Sequence, residues 1–135
     1  MTQRKKPSDF DQRHTFNIYA SRRLRPSVNL SGRFTYGSGM PVPGFYRVVP
    51  GGYAISANRN ELRAPTYQRT DLRINKAYVH QKYTATVFGE IVNLTNHTNR
   101  DFDSPGPYDI VTGRTYPTFF TMFPILPSVG VMFEF

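Results

Sequence analysis

From His14 onward the chain places apolar residues at every second position in five separate stretches, a period of two that predicts strands with two unlike faces. Phe16, Ile18 and Ala20 alternate with Asn17, Tyr19 and Ser21. Val28, Leu30, Phe34 and Tyr36 oppose Asn29, Ser31, Arg33 and Thr35, with Gly32 in the apolar row. A third strand is expected from about Gln68 to Val79, where Leu72, Ile74 and Tyr78 face away from Asp71, Arg73 and Asn75, and Lys76 interrupts the apolar row. A fourth runs from Tyr83 to about Leu94, setting Ala85, Val87 and Ile91 against Thr84, Thr86 and Glu90, although Phe88 and Val92 blur its polar face. In the last, Val129, Val131, Phe133 and Phe135 alternate with Ser128, Gly130, Met132 and Glu134.

The connections alternate in length. Arg22 to Ser27 and His80 to Lys82 are expected to be short turns, whereas 37–67 and 95–127 read as long irregular loops rich in Gly and Pro, the first with a small hairpin pivoting on Pro50, Gly51 and Gly52. Strands of roughly nine to twelve residues joined short, long, short, long match a transmembrane β-barrel, whose periplasmic turns are short and extracellular loops long. Alternation alone also fits a soluble sandwich. Bulky aromatics near strand ends (Tyr36, Tyr78, Tyr83, Phe135) favour the bilayer, where such rings form girdles at both interfaces.

Composition narrows the choice. Hydrophobic residues make up 39% of the 135, and the mean hydropathy is -0.48, so a thick soluble core is not expected. No apolar run is long enough for a spanning helix. Cysteine is absent, which excludes disulfides and thiolate chemistry. The formal charge of +8 points to an anionic partner, whether nucleic acid, lipid or lipopolysaccharide. Five strands are too few to close a barrel, and Pro41, Pro43, Pro50, Pro105, Pro107, Pro117 and Pro124 argue against further strands within the long loops. The expected fold is therefore all-β, an antiparallel meander of about five strands forming a partial transmembrane β-barrel. Residues 1–13 are expected to be a flexible basic lead-in, and 14–135 the C-terminal barrel strands with two extracellular loops. Met1 to Arg13 lack the apolar stretch of a secretory signal, so an exported product is expected to carry its signal upstream of this chain.

Four segments in order, Ser31 to Pro43 (SGRFTYGSGMPVP), Thr70 to Lys76 (TDLRINK), Phe88 to His97 (FGEIVNLTNH) and Phe123 to Phe135 (FPILPSVGVMFEF), resemble the last strands of TonB-dependent outer-membrane receptors. The resemblance implies a 22-stranded barrel plugged by an N-terminal domain. Such a receptor takes up scarce ligands such as iron chelates, cobalamin or glycans. It further implies, as partners, outer-membrane lipid and lipopolysaccharide, the rest of the barrel and its plug, TonB through that plug alone, and the barrel assembly machinery. Val131, Phe133 and Phe135 match the aromatic C-terminal signal by which that machinery recognises its clients.

Catalytic chemistry is not legible. His14, His80 and His97 lack the spacing of a metal site, so no metal or other cofactor is expected. Gly37-Ser38-Gly39 reads as a turn, and no nucleophile, base and orienting group can be assembled into an enzyme. Asp71 and Glu90 are expected to form a structural charge network with Arg73 and Lys76. Arg47, Arg59, Arg63, Arg69, Tyr108 and Phe119 are candidates for a ligand-facing rim, with inward Asn, Arg and Thr lining a lumen. A second reading, a small soluble basic β-protein binding single-stranded nucleic acid, rests on basic residues interleaved with aromatics, as at Tyr46-Arg47 and Tyr67-Gln68-Arg69. It is disfavoured because the basic residues gather at turns and loops.

Overall fold

The computed structural model describes residues 8–42, 46–55, 60 and 62–135. Nine strands and no helix occur among them: β1 (Thr15–Arg25), β2 (Val28–Gly37), β3 (Tyr46–Val49), β4 (Gly52–Ile55), β5 (Tyr67–Val79), β6 (Thr84–Val92), β7 (Arg100–Asp109), β8 (Arg114–Thr121) and β9 (Leu126–Glu134). They form two compact units. One holds a five-stranded sheet in the order β1-β2-β5-β6-β9, the other a four-stranded sheet in the order β4-β3-β8-β7.

The five-stranded sheet contains the five alternating stretches of the sequence. It is antiparallel: β5 pairs with β6 from Leu72↔Ile91 to Val79↔Thr84, and β6 with β9 from Thr84↔Glu134 to Val92↔Leu126. A two-residue link allows β1 and β2 no other arrangement. The backbone N–H of Ala77 donates to Ser27 O at 2.8 Å, setting the end of β5 beside the start of β2. The sheet is open, with β1 and β9 at its edges. Pro127 lies near the start of β9, opposite Ile91.

The first turn is shorter than expected. Arg22, Arg23, Leu24 and Arg25 all belong to β1, and only Pro26 and Ser27 turn the chain. Basic residues do not interrupt a ladder; proline, which has no N–H to donate, does.

The expectation of irregular long loops is overturned. The connection after β2 carries the hairpin β3–β4, closing at Val49↔Gly52 around Pro50 and Gly51 as the turn residues predict. The connection after β6 carries β7 and β8, which also pair with each other, and β8 pairs with β3. Proline is accommodated through irregular pairing: Pro105 sits opposite Pro117, where neither can donate, and the β7–β8 register shifts on both sides of that pair. The β7–β8 turn is built by Asp109. Its carboxylate accepts from the Thr112 hydroxyl at 2.7 Å and the Val111 N–H at 2.9 Å, while Gly113 takes φ 66° and donates to Asp109 O. Those bonds, the Thr112 hydroxyl first, hold the Asp109 carboxyl below its ordinary pKa.

Candidate functional site

The register sorts the side chains of the five-stranded sheet, since directly opposed residues of an antiparallel pair project to the same side. Leu72, Ile74, Lys76 and Tyr78 share a face with Ile91, Gly89, Val87 and Ala85, and that row continues into Pro127, Val129, Val131 and Phe133. Gly32 belongs to the same face, because a side chain there would meet the Leu72 methyl at 3.8 Å. The Phe16 and Phe34 rings touch edge to face at 6.4 Å and extend the apolar row into β1 and β2.

Exposure on β5 is inverted relative to a soluble sheet, whereas on β2 Arg33 is exposed with Leu30 and Phe34 half-buried, and the edge strands β1 and β9 are exposed on both faces. Along β5 the apolar positions are the open ones, with Ile74 46% and Tyr78 50% exposed, whereas Asp71, Arg73, Asn75 and Ala77 on the opposite face are half-buried. On β9 Val129 is 87% and Phe133 57% exposed. Among the described residues Val42, beside Pro41, is the only large apolar side chain that is buried. Fully burying a Val, Leu, Ile or Phe side chain is worth roughly 1.5–3 kcal/mol. About ten of them left half in water would forgo an amount comparable with the ~5–15 kcal/mol net stability of an ordinary domain.

The polar face forms an open cleft of about 380 Å³ lined by Asn29, Ser31, Arg33, Arg69, Asp71, Arg73, Asn75 and Glu90, with Tyr19 at its margin. Its charges are largely paired. Arg69 grips Asp71 through Nη2 at 2.8 Å and Nε at 3.0 Å; Arg73 stacks 4.1 Å above the Phe88 ring, donates to Asn75 Oδ1 at 2.9 Å and lies 3.9 Å from Glu90. The expected charge network thus exists without Lys76, which the alternation places on the apolar face, its ammonium 4.8 Å over the Tyr78 ring.

At one end of this sheet the Asn93-Leu94-Thr95-Asn96 segment acts as a clip. Asn93 is fully buried in a left-handed conformation (φ 55°), which asparagine tolerates better than most residues. Its amide donates to the carbonyls of His97 at 3.0 Å and Phe123 at 3.2 Å, its side-chain oxygen accepts from His97 N, and its own N–H donates to Asp71. Asn96, also left-handed, accepts from Ile125 N. The motif therefore joins the end of β6 to β5 and to the segment that leads into β9.

The rim candidates are dispersed. Arg69 lines the polar cleft of the five-stranded sheet. Arg47 (β3), Tyr108 (β7) and Phe119 (β8) lie in the four-stranded sheet, Arg47 opposite Arg114, Tyr108 opposite Thr115 and Phe119 opposite Phe102. Arg59 lies outside the described residues. Arg63 is engaged in structure: it donates to Asp11 O and the Asp11 carboxylate, both at 2.6 Å, and to Gly39 O at 3.0 Å. Residues 8–14 are tied further by Gln12 to Ser38 O and by Asn60 to Asp9. The strands bearing Tyr108 and Phe119 had a usable sequence signal in Asp109…Thr112-Gly113, a turn flanked by Tyr and Thr.

The Arg63 hydrogen bond, partly offset by desolvation and reinforced by Arg13, holds the Asp11 carboxyl below its ordinary value of 3.8. A depressed carboxyl pKa contributes stability that is complete above the unfolded value and disappears as pH falls through the folded one. Amide exchange at Gln12, corrected for its intrinsic rate, is expected to stay protected at neutral pH and to accelerate only below that range. In Arg63→Gln it will be fast throughout; protection unchanged by that substitution would show the ion pair to be idle.

No group of His, Cys, Asp and Glu among the described residues is arranged to hold a metal ion. Comparison with known proteins returns no match, whether to a family model, to a curated protein or to a solved structure.

Proposed function

We propose that this chain is the C-terminal part of the barrel of a TonB-dependent outer-membrane receptor, which takes up a scarce ligand such as an iron chelate, cobalamin or a glycan. In this reading the five-stranded sheet is wall: its apolar face meets lipid, its polar face lines the lumen, and β1 and β9 pair with strands supplied by the rest of the receptor. The short turns at Pro26-Ser27 and 80–83 are periplasmic, and the two strand-bearing connections face outside. The plug that contacts TonB lies beyond these residues, and the chain itself catalyses nothing.

The observation that carries the reading is the inverted exposure. On β5 the Leu72, Ile74 and Tyr78 row stands open while Asp71, Arg73 and Asn75 are half-buried, and on β9 Val129, Val131 and Phe133 stand open, which suits hydrocarbon outside and water inside. Paired strands also meet the bilayer's demand that backbone donors and acceptors be satisfied within the protein. The four segments that resemble the receptor family fall on β2, β5, β6 and β9 with their flanking loops, all in this one sheet.

Source cells fractionated and probed with an antibody raised against this chain provide the test. The protein is expected in the outer membrane, migrating faster on gels unheated than after boiling. Recovery in the soluble fraction, with no heat-dependent shift, would sink the reading.

A further inference from the structure

Charge is unevenly placed on the apolar face. Among the described residues its charged side chains are Arg22 and Lys76, both cations, and each lies three residues before the end of its strand at the short-turn end of the sheet. The parity of β1 puts Arg22 with Phe16 on that face, since Ser21 bonds Asn29 of the polar cleft. Lys76 bends over Tyr78, the next residue of its row toward that same end. Lys82 in the turn and Arg23 and Arg25 on the other parity of β1 are exposed at the same end, where Glu134 and the terminal carboxylate of Phe135 oppose them.

Aromatic rings interleave with these cations. His80 stacks on Tyr83 at 4.9 Å, Tyr83 meets Phe133 at 6.2 Å, and Phe133 meets Phe135 at 6.4 Å, all exposed. The other end of the face closes with Phe16, Phe34 and Tyr36 and bears no charged side chain.

We infer that the short-turn rim is a seat for anionic phospholipid headgroups, an inference that rests on the membrane reading and names one of its partners. Long cationic side chains rooted in an apolar face reach the interface with their heads while their stems stay in hydrocarbon, and aromatic rings lie at the same level. Five cations against two carboxylates, Glu134 and the chain terminus at Phe135, leave net positive charge. An anionic headgroup neutralises it, whereas a zwitterionic one brings its own cation to its phosphate.

The native receptor, extracted from membranes and offered equal amounts of phosphatidylglycerol and phosphatidylcholine, is examined by native mass spectrometry. Phosphatidylglycerol is expected to remain bound several-fold more than phosphatidylcholine, and Arg22→Gln/Lys76→Gln to bring the ratio close to even. Heat-dependent gel migration checks that this variant folds; if it does not, Lys82→Gln, changed only in the turn, is expected to lower the ratio instead. Equal retention by the native protein, or a preference that survives in a folded variant, overturns the inference. Absence of the native protein from the outer membrane would be seen separately, in the fractionation, and would remove the reading beneath it.

Discussion

Arginine in place of Val129 is expected to destabilise the bilayer-inserted protein by about 2–4 kcal/mol, the cost of a cation near the midplane on the lipid face of a barrel. Val129 lies in the middle of β9, opposite Gly89, and is 87% exposed. It makes so little contact that in water the same change would fall within about ±0.5 kcal/mol. The site therefore separates the two environments by several times the error of a denaturation measurement. Denaturant titration of the receptor refolded into lipid vesicles, native against Val129→Arg, gives the number. A shift smaller than 1 kcal/mol would mean that this face does not meet hydrocarbon. Ser128→Arg is the control, since Ser128 pairs with Glu90 on the polar face and should be nearly neutral.

The second large effect is expected at Asn93, whatever the solvent around the sheet. Asn93→Ala removes three side-chain hydrogen bonds from a fully buried position and leaves the carbonyls of His97 and Phe123 and the N–H of His97 without those partners. Each hydrogen bond so lost costs about 0.5–1.5 kcal/mol net, since His97 is only half-buried and Phe123 exposed, and alanine is also less at ease than asparagine at φ 55°. A total of roughly 2–4 kcal/mol is expected after local relaxation. Asn93→Gly loses the same bonds but accepts the left-handed backbone, so it should be milder by about 1 kcal/mol. Chemical denaturation of both variants reads the two contributions separately; an alanine variant as stable as the native chain would show that the clip does not hold β9 in place.

The five strands of the main sheet were legible because a strand half-buried on one side writes its faces into the sequence at a period of two, and Val28 to Tyr36 or Leu72 to Tyr78 need no tertiary knowledge to be read. Turn chemistry was legible at Pro50-Gly51-Gly52 for the same local reason. The strands from Arg100 to Asp109 and Arg114 to Thr121 were not. Proline was taken there as a breaker, whereas two prolines set opposite each other, with register shifts on either side, leave few donors for the ladder to miss. Lys76 was assigned to a charge network by its nearness in sequence, although its parity already put it on the other face.

The order of apolar and polar side chains, the strand lengths and the turn residues belong to the sequence alone, because each depends on neighbours two to four positions away. Tertiary structure decided which strands adjoin, that β3 pairs with β8 across about seventy residues of chain, and that Arg63 pairs with Asp11. It also decided which face of β5 is open and which half-buried. A period of two states only that the faces differ; which of them is covered depends on how the paired strands are set side by side, and no short stretch of chain contains that information.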